Sequence, residues 1–288
     1  MKKILITGGN GFVGKNLSKY LKNYKYELFL VNGKIHIDLR YFSQVAQLPK
    51  CDLIIHLAAD SFIPDTFENP QKFYENNILS MLNILEKAKL DNSSVIFLSS
   101  YVYGTPQYLP IDEKHPRSAL NPYAQSKIIC EDLCFAYNRD FNVPITIFRP
   151  FNIYGPNQKK SFFVSKVFSS IDQTEILLDN PKPKRDFIYI IDVLKAIHKA
   201  IDKNSIQFNI YNLGSGKSIS MKAAAETICK ITNSFSKLKF NNIERRGEIS
   251  ETVSDLQKIK KDLSWVPETS FSEGIYQMYL LSKTINEN

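Results

Sequence analysis

Five short, almost uninterrupted apolar runs punctuate the first half of the chain: KILIT (3–7), ELFLV (27–31), DLIIHLA (52–58), SVIFLSS (94–100) and PITIFRP (144–150). Strands covered on both faces read this way, because neither face needs polar residues for water. Between the runs lie longer stretches of helical spacing, notably 70–90 and 122–139. In the first, Leu79, Leu82 and Leu85 form an apolar stripe flanked by Asn83 and Glu86. Strands alternating with helices predict βαβ units and a parallel, doubly wound α/β sheet.

After about residue 155 the rhythm breaks. Short strand candidates (EILLD, DFIYI, FNIYNLG, KLKF) mix with helices near 192–202, 220–232 and 272–284. This predicts a domain over 1–155 to which about 186–214 returns, and a smaller α/β C-terminal lobe over 156–185 and 215–288. The sequence carries no internal repeat, low-complexity segment or long linker.

The loop TGGNGFVG, Thr7 to Gly14, stands between the first strand and the first helix, with glycines at 8, 11 and 14. That spacing gives a tight turn, close approach of backbone to a pyrophosphate, and close helix–strand packing, with phosphates at the helix N-terminus. A glycine triplet in this context predicts a Rossmann-type dinucleotide-binding domain in 1–155 and a substrate-binding role for the smaller lobe.

The 288 residues are 43% hydrophobic and 23% charged, a globular balance. The apolar run after Lys2 and Lys3 stops at two glycines, too short for a secretory segment, and nothing later approaches a membrane span. A cytoplasmic protein is expected, with no membrane partner. Cys51, Cys130, Cys134 and Cys229 have no metal-ligand spacing and read as free thiols in a reducing compartment, so no metal is expected. The formal charge of +8 comes from scattered lysines with no arginine-rich tract, which suits a small polyanion such as a nucleotide rather than nucleic acid.

The glycine loop and the later motifs together resemble the extended short-chain dehydrogenase/reductase family, the NAD(P)-dependent nucleotide-sugar epimerases, dehydratases and reductases. HLAA (56–59) resembles that family's third-strand end. ENNILSMLNILEKA (75–88) resembles its N-N-x-x-G-T helix, with Ser80 in place of the glycine. RPFNIYGP (149–156), RDFIYIIDV (185–193), NLGSG (212–216) and SWVP (264–267) resemble its later landmarks. The resemblance implies dinucleotide contacts from Gly8, Asn10, Gly11, Phe12, Val13, Gly14, Leu57, Ala58, Ala59, Asn77 and Phe151. Asp38 and Leu39 resemble its adenine contacts.

In NPYAQSK (121–127), Tyr123 and Lys127 match the family's YxxxK, one helical turn apart, with Asn121 placed to cap the helix and Pro122 at its first position. A tyrosine with a pKa near 10 is a poor acid or base at neutral pH. A nearby ammonium favours the phenolate, and the pair would then exchange a proton with a sugar hydroxyl or ketone. By resemblance Lys127 also binds the nicotinamide ribose. Counting back from Gly104 in FLSSYVYG (97–104), Ser99 takes the family's catalytic Ser/Thr place, and Ser100 is assigned to the substrate. The family's dehydratases carry an Asp-Glu pair where Ser100 and Tyr101 stand, and its decarboxylases a glutamate at Tyr101, so those reactions are not expected.

Strand two ends with Asn32 where NAD enzymes place an acid, and Lys34 follows, ready for a 2′-phosphate. Both cofactor contacts tilt the choice from NAD(H) toward NADP(H). By resemblance Asn152 and Arg185 hold a nucleotide diphosphate. RRGE (245–248) resembles an R-x-G-D motif, with Arg245 on phosphate, where its fork suits bidentate binding, and Glu248 on a ribose.

The leading expectation is an NAD(P)H-dependent reductase of a nucleotide-activated 4-keto deoxysugar. An NAD-dependent nucleotide-sugar 4-epimerase is the second, and a non-catalytic dinucleotide sensor or nucleic-acid binder the third. The resemblance also implies a homodimer joined through helices 70–90 and 122–139.

Overall fold

The computed structural model describes residues 1–31, 37–61, 63–203, 207–244 and 247–286. Its strands are β1 (Lys2–Thr7), β2 (Tyr26–Val31), β3 (Leu53–His56), β4 (Ser94–Leu98), β5 (Ile145–Pro150), β6 (Asn152–Tyr154), β7 (Glu175–Leu178), β8 (Lys184–Tyr189), β9 (Asn209–Leu213), β10 (Ser218–Ser220) and β11 (Lys237–Phe240). The chain forms two compact units. The first comprises Met1–Gly104, Pro116–Pro150 and Leu194–Tyr211; the second comprises Thr105–His115, Phe151–Val193 and Asn212–Asn288. The stretch given back to the first unit is thus shorter than the 186–214 expected from sequence.

The first unit carries a six-stranded sheet in the order β2-β1-β3-β4-β5-β9, with the first four pairings parallel. This is the Rossmann-type arrangement. From β1 the chain runs outward to β2 and then crosses back to β3, so strand order reverses between β1 and β3. Crevices at such reversals, outside the carboxyl ends of the strands, are where ligands bind. Leu5, Ile54, Val95 and Ile145 of the sheet pack against Met81, Ile84 and Leu85 from one helix and Cys130 and Cys134 from another, all buried. Each such aliphatic side chain contributes about 1.5–3 kcal/mol.

Those helices are Ser80–Asp91 and Pro122–Phe141. The second starts where the Asn121 side chain accepts from the Ala124 amide at 2.8 Å, with Pro122 at its first position, and stops at Asn142 in the left-handed region. The stretch read as one helix over 70–90 is instead Pro70–Tyr74, a π-helical turn Glu75–Leu79 and Ser80–Asp91. The π turn leaves the apolar stripe unbroken, so spacing alone does not reveal it; such turns concentrate at functional sites.

The second unit holds a sheet of order β10-β8-β6 and a two-stranded sheet of β11 and β7. Asp186 of β8 is its polar hub. One carboxylate oxygen accepts from the Ser215 amide and hydroxyl, and the other from the Gly216 amide and the Ser254 amide and hydroxyl, at 2.6–3.1 Å. Trp265 is buried and donates to the Asp192 carbonyl at 3.0 Å. The motifs around 186, 214 and 265 therefore serve at least this unit's own scaffold. No described helix is long and apolar enough to cross a membrane.

Candidate active site

The glycine loop lies at the carboxyl end of β1. Gly8 has φ +69°, and a Cβ there would sit 2.8 Å from the Ala58 amide nitrogen. A Cβ on Gly14 would sit 2.2 Å from the Gly8 carbonyl oxygen. Only glycine fits either place, and the Gly11 amide closes the turn on the Gly8 carbonyl at 2.9 Å. The helix that follows, Phe12–Leu21, has no acid in its first turn, so its positive end is left for an anion. Thr7 ties the neighbouring strand end into place: its hydroxyl bonds His56 Nδ1 at 2.8 Å and accepts from the Leu57 and Ala58 amides at 3.2 and 3.3 Å. This cradle fits the pyrophosphate of a dinucleotide, with Leu57, Ala58 and Ala59 half-buried beside it.

Tyr123 keeps part of its surface exposed, while burial of its hydroxyl pushes the phenol up to about 12. The opposing influence is the Ser100 hydroxyl, which faces the phenol and favours its ionised form. Ser100 Oγ is buried and makes no full hydrogen bond to any described group. Lys127 is buried, and desolvation lowers its ammonium to about 8 against the pull of Cys130, Glu131 and Cys134. Its Nζ donates to the Leu98 carbonyl at 3.0 Å and stands 4.7 Å from the Phe97 ring centroid and 5.8 Å from that of Tyr123. The phenol is thus governed first by burial and then by Ser100, where the sequence suggested the lysine.

Ser99 has another partner. Its hydroxyl donates to Glu131 Oε1 at 2.7 Å, and the side chain is 2% exposed. Of the two adjacent serines, Ser100 is the one presented to Tyr123. Counting from Gly104 assigns the catalytic place to Ser99.

Asn77 sits in the π turn and fastens the loop after β3. Its amide donates to the Asp60 carbonyl and to Ser126 Oγ, and its oxygen accepts from the Asp60 amide at 3.0 Å. Asn77 therefore shapes the wall of the crevice, a role invisible to a motif match. Leu39 is spent in the core, and its carbonyl takes the Asn83 amide. Arg40 pairs with Asp38 at 2.6 Å and holds its carboxyl below the usual range, so an adenine amine would share that acceptor with the arginine. Asn32 and Lys34 lie outside the described residues.

In the second unit, Phe151 is buried and its amide bonds the Leu213 carbonyl at 2.8 Å. Asn152 Nδ2 donates to the Asp186 carbonyl at 3.1 Å. Arg185 Nη1 donates to the Lys184 and Ile249 carbonyls. Glu248 accepts from Asn180 at 2.7 Å, while Arg245 lies outside the described residues.

A phosphate cradle at a strand-order reversal, with a half-buried tyrosine and a buried lysine on one helix of the same unit, defines a dinucleotide-dependent oxidoreductase or isomerase. Residues 4–214 match the NAD dependent epimerase/dehydratase family. Over 98% of its length the chain is 31% identical to a putative UDP-glucose 4-epimerase of Methanocaldococcus jannaschii, covering 99% of that protein. It is also 31% identical, over 98% of its length and 100% of the relative's, to GDP-6-deoxy-D-talose 4-dehydrogenase of Aggregatibacter actinomycetemcomitans. The structure of RMD from Pseudomonas aeruginosa complexed with NADPH superposes with a TM-score of 0.89 at 25% identity, covering 99% of this chain and 100% of that one. The chain belongs to the NAD dependent epimerase/dehydratase family and is an NAD(P)-binding enzyme.

Proposed function

We propose that this enzyme reduces the keto group of a nucleotide-activated 4-keto deoxysugar. The observation that carries the reading is the Ser100 hydroxyl, buried, without a full hydrogen bond, and facing the Tyr123 phenol beside Lys127. A buried donor in that state awaits an external oxygen. The nicotinamide dinucleotide, when bound, supplies hydride to the sugar carbon.

The protein's part is proton delivery and alignment. Ser100 hydrogen-bonds the reacting oxygen, and Tyr123 gives it a proton: the phenol O–H breaks and the sugar O–H forms. Lys127, charged below about pH 8, stabilises the phenolate so formed. Gly8, Gly11 and Gly14 with the start of helix Phe12–Leu21 would hold the pyrophosphate. The lean toward NADPH is supported by Lys34 and Asn32 as residue types and by the NADPH in the similar structure. Asn152, Arg185, Arg245 and Glu248 remain the proposed contacts for the nucleotide diphosphate. A homodimer through helices Pro70–Tyr74 to Ser80–Asp91 and Pro122–Phe141, in the cytoplasm and without nucleic acid, completes the reading.

The similarity to a putative UDP-glucose 4-epimerase favours a second reading, in which an enzyme of the same residues retains NAD and oxidises before it reduces. The two separate in one experiment. Freshly purified protein is denatured, and any released dinucleotide is identified by absorbance and mass. The chain is then incubated with UDP-glucose, and with GDP-6-deoxy-D-talose and NAD⁺ or NADP⁺. A site that binds NADPH more tightly than NADH, with turnover only of the deoxysugar, supports the reductase. Stoichiometric retained NAD with interconversion of UDP-glucose supports the epimerase. A protein that neither contains nor binds a dinucleotide ends both.

A further inference from the structure

Three consecutive residues at the end of β4 meet three residues spaced four apart on the helix Pro122–Phe141. The Leu98 carbonyl receives Lys127, the Ser99 hydroxyl donates to Glu131, and the Ser100 hydroxyl faces Tyr123. Positions 123, 127 and 131 fall one turn apart along one side of a helix, so the contacts form a single seam.

The middle contact joins residues outside the reacting set, and it is built with more bonds than either neighbour. Glu131 accepts from Arg149 Nε at 3.0 Å and Nη2 at 2.6 Å, and from Arg117 Nη1 at 3.4 Å. Arg149 Nη1 in turn donates to the Tyr103 hydroxyl at 3.1 Å. Glu131 and Arg149 are 2% and 3% exposed. Such a pair gains little stability over apolar residues of the same volume, so its presence calls for a purpose other than holding the fold together.

That purpose follows from the sequence Ser99-Ser100. Two chemically identical hydroxyls stand side by side at the strand's end: the Ser99 amide still donates to the Phe148 carbonyl of β5 at 2.8 Å, and Ser100 is the first residue beyond that bond. A fixed carboxylate chooses between them, because a hydroxyl bonded to a buried anion is far harder to turn away than one bonded to a neutral group.

We propose that Glu131 is a positioning residue: by capturing Ser99 it locks the end of β4 in register with the helix, so that Ser100 faces Tyr123 and the Leu98 carbonyl meets Lys127. This rests on the reading of Ser100, Tyr123 and Lys127 as the reacting set. Glu131 itself touches no reacting atom.

Ser99→Ala, Ser99→Thr, Ser100→Ala and Glu131→Gln are compared in the full chain with two readouts. The first is the titration of Lys127 by NMR of labelled lysine side chains, which needs no substrate. Lys127 is surrounded by Cys130, Glu131 and Cys134 of its own helix and by His56 of β3, and Ser99→Ala alters none of these charges. The second is kcat and KM with GDP-6-deoxy-D-talose or UDP-glucose.

In Ser99→Ala the Lys127 titration should move by about half a pH unit or more, and kcat should fall about tenfold with both KM values within about twofold, as for loss of other supporting contacts. Ser99→Thr should restore both. Glu131→Gln should lower kcat in the same manner, and Ser99→Ala added to it should bring no further loss, since both cut one link; this arm decides should Ser99→Ala fail to fold. The proposal is overturned if Ser99→Ala matches the parent in both readouts or if the two losses simply add. It is also overturned if Ser99→Ala abolishes turnover as deeply as Ser100→Ala while Lys127 titrates unchanged, which would make Ser99 the reacting hydroxyl. Absence of turnover by the parent with either sugar counts against the proposed function, and the Lys127 titration then decides the register lock alone.

Discussion

Arg149 and Glu131 form a bidentate ion pair with side chains only 3% and 1% exposed, Nη2 lying 2.6 Å from Oε2. Burial alone would weaken the arginine's charge, but the carboxylate outweighs it and keeps the guanidinium ionised. Arg149→Met should therefore cost about 3–5 kcal/mol in urea unfolding, because it strands a buried carboxylate. The double variant with Glu131→Leu should be more stable than Arg149→Met alone. Equal losses for the single and double variants would show that packing, not charge, dominates this place.

His56 gives the acid side of stability. Burial, with help from the Lys127 ammonium, lowers the imidazole to about 3 from its ordinary 6.5. Between those values the unfolded chain binds a proton that the folded chain refuses, so stability falls as pH falls from 6.5 toward 3. The limiting contribution is about 5 kcal/mol. In His56→Asn, whose amide can still meet Thr7, the urea midpoint should depend less on pH across this window, measured by circular dichroism.

Tyr123→Phe should lower kcat by about 10²–10⁴ while leaving dinucleotide affinity nearly unchanged, since the phenol acts on the transferred proton. Ser100→Ala should lower it by about 10²–10³, the range for losing one oxyanion donor. In the reducing direction the rate should decline above about pH 8, where Lys127 discharges, and this limb should vanish in Lys127→Arg. Steady-state kinetics across pH 6–10 with the turned-over sugar checks all three.

Gly14→Ala should cost about 1–3 kcal/mol or more through overpacking, because its methyl would sit 2.2 Å from the Gly8 carbonyl and only backbone could move aside. Titration with NADPH by fluorescence should show affinity reduced together with the melting temperature. Unchanged binding would mean that the loop tolerates widening and that phosphates lie elsewhere.

The sheet was legible because its strands announce themselves locally as apolar runs, with β1, β3, β4 and β5 largely buried. The cap at Asn121 was legible for the same local reason. The bond from the Ser99 hydroxyl to Glu131 was not, since its partner stands 32 residues further on. One signal was nevertheless present: position 131 continues the four-residue step from Tyr123 through Lys127, and a carboxylate there extends the same stripe. Asn77 was found by motif, but its bonds to Asp60 were not, because they arise from a tertiary contact and a π turn that leave no periodic mark. Similarly, the landmarks around Asp186 and Trp265 matched the family by pattern, while the hydrogen bonds that tie them into their own unit had to be seen in the fold.

The chain leaves and re-enters the first unit repeatedly, and the last piece of that unit is Leu194–Tyr211. During synthesis, strands β1 to β5 therefore emerge from the ribosome long before β9 is available to complete their sheet. At about 5–20 residues per second, the roughly sixty residues from Pro150 to Tyr211 take several seconds, during which β5 offers an unpaired edge to any passing strand. Neither unit can be produced by cutting the gene at a single point. A nascent chain stalled before residue 211 should be the species that chaperones bind most avidly.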